Sequence, residues 1–147
     1  MRFWNLTYND PDRWREVYAI SGDPHGFWKA LRNGASGSPR GVITNTSSEE
    51  INELISATSA IKYCNFQRTD SGAILFVRVR LEVYGIPLRR DHIKSIDFDN
   101  SKENANWKTM IIENEDGTFV EFDYQKEKHM KMMKFMHPHL YTRDEQY

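Results

Sequence analysis

Residues 73 to 84 read AILFVRVRLEVY, with Ala73, Leu75, Val77, Val79, Leu81 and Val83 apolar at every odd position and Arg78, Arg80 and Glu82 at even ones. A period of two held this long predicts one β-strand with a buried and a wetted face. Such a strand constrains everything around it, because it needs neighbours on both edges and a layer over its apolar side.

The surrounding sequence supplies those partners. Asp10-Pro11 and Asp23-Pro24 each pair an N-cap with a proline at the first helical position, and predict helices over 11–20 and from 24 to Asn33-Gly34. Trp14, Val17 and Tyr18 line the first, and Phe27, Trp28 and Leu31 the second. Ser47 and Glu50 match a capping box for a third helix running to about Ala60. The period then switches to two. Strands are predicted at Ile61 to Arg68, at Ala73 to Tyr84, around Ile93 to Phe98, at Trp107 to Glu113 and at Thr118 to Tyr124, with Gly85-Ile86-Pro87 bending the chain. Asp123 is expected to cap a last helix, roughly 125 to 136, ahead of Pro138.

This order predicts an α+β fold in one domain over 1–147, helix-rich over 1–60, with an antiparallel sheet and closing helix over 61–142. Five or six strands are expected, covered by the N-terminal helices and the C-terminal one. The C-terminal half, strands followed by one helix, resembles in layout the pleckstrin-homology-like barrels, and layout carries no function with it.

A chain of 147 residues is long enough to bury a sizeable core without disulfides or metal. The single Cys64 cannot form an internal bridge, and the opening MRFWNLTYND has no apolar run of signal-peptide length, so a cytoplasmic protein is expected. No stretch approaches the roughly 20 apolar residues that span a bilayer, so no membrane partner is expected. The net charge of −1 hides segregation. Basic residues outnumber acidic ones over 73–94, acidic residues dominate from Asp97 to Asp123, and four lysines meet only Glu127 between Lys126 and Lys134. Blocks of this kind bear on partners and encounter rates.

Asp91-His92 after Arg89-Arg90 is the leading catalytic candidate, because a histidine oriented by a carboxylate beside phosphate-holding cations suits phosphoester chemistry. Neighbours on a strand diverge, however, and a solvated turn is the commoner meaning of such a run. His129, His137 and His139 lack metal-ligand spacing, and neither metal nor cofactor is expected. The glycines of residues 34–41, GASGSPRG, lack the ending of a phosphate loop. Arg78 and Arg80, alternating with Phe76 and Tyr84 and followed by Arg89 and Arg90, would form a ligand face for nucleic acid or a nucleotide. On the last helix Met130 and Met133, with Met136 or His137, are expected to face the sheet, leaving Phe135 exposed between Lys131 and Lys134 as a partner contact.

Absence of a nucleophile elbow, phosphate loop or metal signature favours a non-catalytic protein-binding module. Its acidic hairpin, Glu113, Glu115, Asp116 and Glu121, would engage a basic protein partner, as small bacterial or phage inhibitors and immunity-type proteins do. The alternative is a nucleic-acid- or nucleotide-binding protein, extending to a phosphodiesterase or nuclease, that uses Arg78, Arg80, Arg89, Arg90 and His92. A third expectation is a homo-oligomer joined through the aromatic N-terminal helices.

Overall fold

The computed structural model describes residues 1–8, 10–24, 37–57, 63–98, 106–137 and 139–140. Local signals place the first helix, α1 (Pro11–Ser21). The Asp10 carboxylate accepts the Asp12 amide at 3.0 Å, Pro11 opens the helix, and Gly22 ends it at φ 82° with its N–H on the Tyr18 carbonyl. The second Asp-Pro helix, with Phe27, Trp28 and Leu31, falls outside the described residues beyond Pro24.

The next helix, α2 (Glu49–Ser56), is capped by Ser48 and not Ser47. Ser48 Oγ accepts the Ile51 amide at 3.3 Å, whereas Ser47 Oγ accepts the Phe119 amide at 2.9 Å and is committed to a strand. The helix stops at Ser56, short of the expected Ala60.

Among the described residues eight strands form one antiparallel sheet, not five or six: β1 (Trp4–Asn5), β2 (Gly41–Thr46), β3 (Tyr63–Arg68), β4 (Gly72–Val79), β5 (Glu82–Arg89), β6 (Ile93–Phe98), β7 (Trp107–Asn114) and β8 (Phe119–Gln125). Their order is β1-β5-β4-β3-β2-β8-β7-β6. The count rises because the run from Ala73 to Tyr84 is a hairpin, not one strand, and because β1 and β2 add two more. It turns at Arg80-Leu81, where Arg80 takes φ 57°, the left-handed conformation a two-residue hairpin demands. Opposite residues share a face, so the parity of burial flips across the turn. Ala73, Leu75 and Val77 face the core beside Leu88, Ile86 and Tyr84, and Leu81 protrudes at 93% exposure.

Gly85-Ile86-Pro87 does not bend the chain; it lies inside β5. Leu6 donates its amide to the Val83 carbonyl and the Val83 amide donates to Thr7 Oγ1, so Val83 faces the N-terminal segment. Four residues on, Pro87 turns its nitrogen to that same edge, past the β1 pairing at Gly85, and no bond to β4 is lost. Gly85 leaves room for Leu6, whose Cδ1 would stand 2.5 Å from an added Cβ.

One core unites residues from distant strands. Leu75 and Leu88 of the β4–β5 hairpin pack with Met110, Ile112, Val120 and Phe122 of the β7–β8 hairpin, with Ile96 and Phe98 at its margin. A sheet whose far strands share an interior must curl around it. On the outer face of β4, Ile74 and Phe76 meet Trp4, Leu6, Trp14, Val17 and Tyr18, so Trp4, Trp14 and Tyr18 pack together, while Tyr8 stays exposed.

The last helix, α3 (His129–Met136), closes the core. Asp123 does not cap it; that carboxylate lies within β8 and accepts Thr109 Oγ1 at 2.6 Å. A 3₁₀ turn over Lys126–Lys128 intervenes and rotates the helix relative to expectation. Met132, Phe135 and Met136 are therefore buried, with Phe135 at 3% exposure, while Met130 points out. No helix among the described residues is long and apolar enough to cross a membrane.

The hairpin makes Leu81 and Leu75 opposites despite their shared parity. Leu81→Asp is expected to change stability by no more than about 0.5 kcal/mol, and Leu75→Ala to cost about 2–5 kcal/mol. Urea unfolding followed by circular dichroism separates them, and equal losses would contradict the turn.

Candidate functional site

The four arginines expected to form one ligand face are split between the two ends of the β4–β5 hairpin. Arg78 and Arg80 sit at the turn, whereas Arg89 pairs with Gly72 at the open end. Six residues of strand separate Gly72 from Arg78, about 20 Å at the usual rise. Nor does an aromatic row accompany them. Phe76 is half-buried 6.1 Å from Trp14 on the outer face, and Tyr84, on the inner one, donates its hydroxyl to Glu82. That bond, with burial second, pushes the Tyr84 pKa up to about 12.

At the open end the side chains are engaged locally. Arg89 Nε donates to Asp91 Oδ1 at 2.8 Å. Arg90 donates to the carbonyls of His139 at 3.1 Å and Asp70 at 3.4 Å, tying the chain after α3 to the β3–β4 loop. His92 Nε2 stands 3.9 Å from Asp91 Oδ1, beyond a hydrogen bond, and its side chain is 63% exposed. The Asp91-His92 pair is thus not held in the geometry a general base requires.

The acidic hairpin also divides. Glu121 is buried on β8, where Thr44 Oγ1 donates to its carbonyl and to its carboxylate. Glu113 lies 3.8 Å from Lys94 Nζ on the neighbouring strand. Glu115 and Asp116 remain exposed at the β7–β8 tip. Asp116 accepts Thr118 Oγ1 at 2.5 Å and the Thr118 amide at 3.0 Å, and these bonds lower its pKa below the ordinary carboxylate value.

The histidines do not converge. His129 Nδ1 is 2.6 Å from the Tyr124 hydroxyl, and His139 Nε2 is 2.8 Å from the Gly72 carbonyl. Among the described residues no three potential metal ligands cluster.

What the fold does bring together is basic. A cleft of about 650 Å³ lies between α3 and the strands that precede it, lined by Ser38, Arg40, Arg68, Gln125, Lys128, Lys131, Lys134 and Phe135 among others, with no carboxylate among the described residues. Lys128, Lys131 and Lys134 recur every third residue and form one wall. Arg68, the last residue of β3, reaches the end of α3 and donates to the Lys134 and Phe135 carbonyls, both at 3.1 Å. These are carbonyls that the final turn leaves without helical partners. The guanidinium lies 4.8 Å from the Phe135 ring centre, and burial lowers its pKa from the ordinary arginine value. Arg40, just before β2, stacks 5.0 Å from the Tyr63 ring. Among the described residues Arg40, Lys128, Lys131 and Lys134 form no ion pair.

The expected partner contact at Phe135 is therefore corrected: its ring is under Arg68 and in the core, and the lysines beside it are what the surface presents. The lysine block was visible in the sequence. Arg40 and Arg68 gave no local sign of joining it, being remote in the chain and drawn in by strand pairing.

No protein-family model matches the chain, and comparison with curated proteins and with solved structures finds no match.

Removing the Thr118 hydroxyl should raise the Asp116 pKa. Because the folded carboxylate titrates below its unfolded value, the stabilisation it brings is present above the unfolded pKa and lost as pH falls through the folded one. Thr118→Val narrows that window from the acid side. Carbonyl-detected NMR titration of Asp116 reads the shift, and an unchanged midpoint would discard the hydrogen bond as its cause.

Proposed function

We propose that this protein is a non-catalytic binding module whose basic cleft takes an anionic ligand. The convergence of Arg40, Arg68, Lys128, Lys131 and Lys134 on one concave surface, with no carboxylate among the described residues that line it, carries the reading. Concave walls of low dielectric concentrate such a field and raise the local concentration of anions. The Asp91-His92 geometry supports binding over catalysis.

The reading changes the sign of the partner anticipated from the acidic hairpin. A basic protein partner keeps only Glu115 and Asp116 as a fully exposed contact, whereas the cleft offers five cations. A nucleic-acid or nucleotide ligand survives with its site moved from the Arg78/Arg80/Arg89/Arg90 surface to the cleft. The finer architecture belongs to the same proposal. Strands β2 to β8, in the order β5-β4-β3-β2-β8-β7-β6 and followed by α3, fit the layout of a pleckstrin-homology-like barrel.

Heparin-agarose chromatography tests the charge reading. The unmodified protein is expected to be retained at low salt, and Lys128→Glu/Lys131→Glu/Lys134→Glu to bind roughly tenfold more weakly or not at all. Arg78→Glu/Arg89→Glu should elute nearly unchanged. Equal losses in both variants would show that net charge, and not the cleft, holds the polyanion.

A further inference from the structure

We propose that the cleft is a site for a compact polyphosphate, a small molecule bearing two or more adjacent phosphate groups, and not a track for a nucleic-acid strand. This rests on the reading that the cleft takes anions, and adds the ligand's chemical class. Four features of the cleft carry it.

Spacing is the first. Lys128, Lys131 and Lys134 stand about 4.5 Å apart along the α3 axis, so the whole row spans about 9 Å. Lysine side chains rooted along so short a row can address neighbouring phosphates of one molecule. A single phosphate cannot balance five cations, and one with several linked charges can.

The second is preorganisation of the facing wall. Arg68 is held by two carbonyls and a ring, and Arg40 by the face of Tyr63. Guanidinium groups already fixed lose little freedom on meeting phosphate oxygens, which they grip with two parallel donors.

The start of α3 is the third. Its N-cap is Lys128, with no side-chain cap and no acid in the first turn. The helix dipole is positive there, and cations at that end are locally unfavourable. An anion beside Lys128 and Lys131 meets the positive end of the dipole, where the helix alone gives no reason for lysines; Lys134 lies in the last turn, where the dipole itself favours a cation.

The fourth is the absence of a free stacking platform among the described residues. Single strands use aromatic faces on which successive bases lie. Phe135, the ring that lines the cleft among the described residues, is buried under Arg68, and Tyr63 outside it, 41% exposed, has Arg40 over one face. Ser38 Oγ is likewise occupied, accepting the Phe66 amide at 2.8 Å and donating to the Pro39 carbonyl. The cleft is equipped for phosphate groups and poorly equipped to read a base.

Isothermal titration of the full chain with inorganic tripolyphosphate, orthophosphate and a mixed-sequence single-stranded DNA tests the class, with NMR amide shifts locating each event. Tripolyphosphate is expected to bind one per chain, to move the amides of Ser38, Arg40, Arg68 and Lys128 to Lys134, and to exceed orthophosphate by roughly tenfold or more. Lys131→Glu/Lys134→Glu and, separately, Arg40→Glu should each weaken it by roughly tenfold with unchanged far-ultraviolet circular dichroism. If DNA binds through the same residues while tripolyphosphate does not, the polyphosphate assignment falls and the anion cleft stands. If tripolyphosphate binds but both variants keep full affinity, this site is wrong. If no anion shifts the cleft amides, both readings fall together.

Discussion

Phe66 is where the two halves of the sheet and the closing helix meet. Its ring lies 5.2 Å from Phe122 of β8 and 6.2 Å from Phe135 of α3, and it is wholly buried. Tilted aromatic pairs of this kind contribute about 0.5–1.5 kcal/mol each beyond the area they bury. Its backbone orders a further segment, because the Ser38 amide donates to the Phe66 carbonyl and the Phe66 amide to Ser38 Oγ. Two residues on, the strand period returns Arg68 to the same side, where it lies over Phe135. The Phe135 ring therefore has Phe66 and Arg68 as neighbours, and that contact holds α3 in the rotation that the preceding 3₁₀ turn gives it.

The basic cleft follows from that rotation. With Met132, Phe135 and Met136 turned inward, Lys131 and Lys134 each precede a buried residue by one position, about 100° around the helix. They flank the core instead of pointing away from it, and face the strand end that carries Arg68. Stability and binding are thus linked through one contact: the side chain that covers Phe135 also furnishes a cation to the cleft. Other charges are matched close to home, as in Arg89 with Asp91 and Lys94 with Glu113, whereas Arg40, Lys128, Lys131 and Lys134 form no ion pair among the described residues.

How much could be read in advance depended on the range of the interaction responsible. The Asp10 cap and Pro11 place α1 because a cap acts within one turn. The strand expected at Thr118 to Tyr124, observed as β8, was equally plain, since alternation over a short strand is local. The turn at Arg80-Leu81 was hidden: it contains no glycine, proline, asparagine or aspartate, and alternation passes through it unbroken. Pro87 misled for a related reason, as only the position of β1 reveals that its nitrogen faces the edge. Helix α3 kept its apolar spacing but was assigned the wrong phase, because the 3₁₀ turn before it advances the chain by a different angle.

By itself the sequence determined the α+β class, the start of α1, most strand segments and the separation of charge into blocks, all properties of residues acting on near neighbours. Tertiary structure decided which way α3 faces, which of the acidic residues are withdrawn from solvent, and which cations share a surface. Arg40, Arg68 and the lysine row belong to three separate stretches of chain. Only the curling of the sheet around a common interior brings them to one cleft, and no local pattern encodes a meeting of that kind.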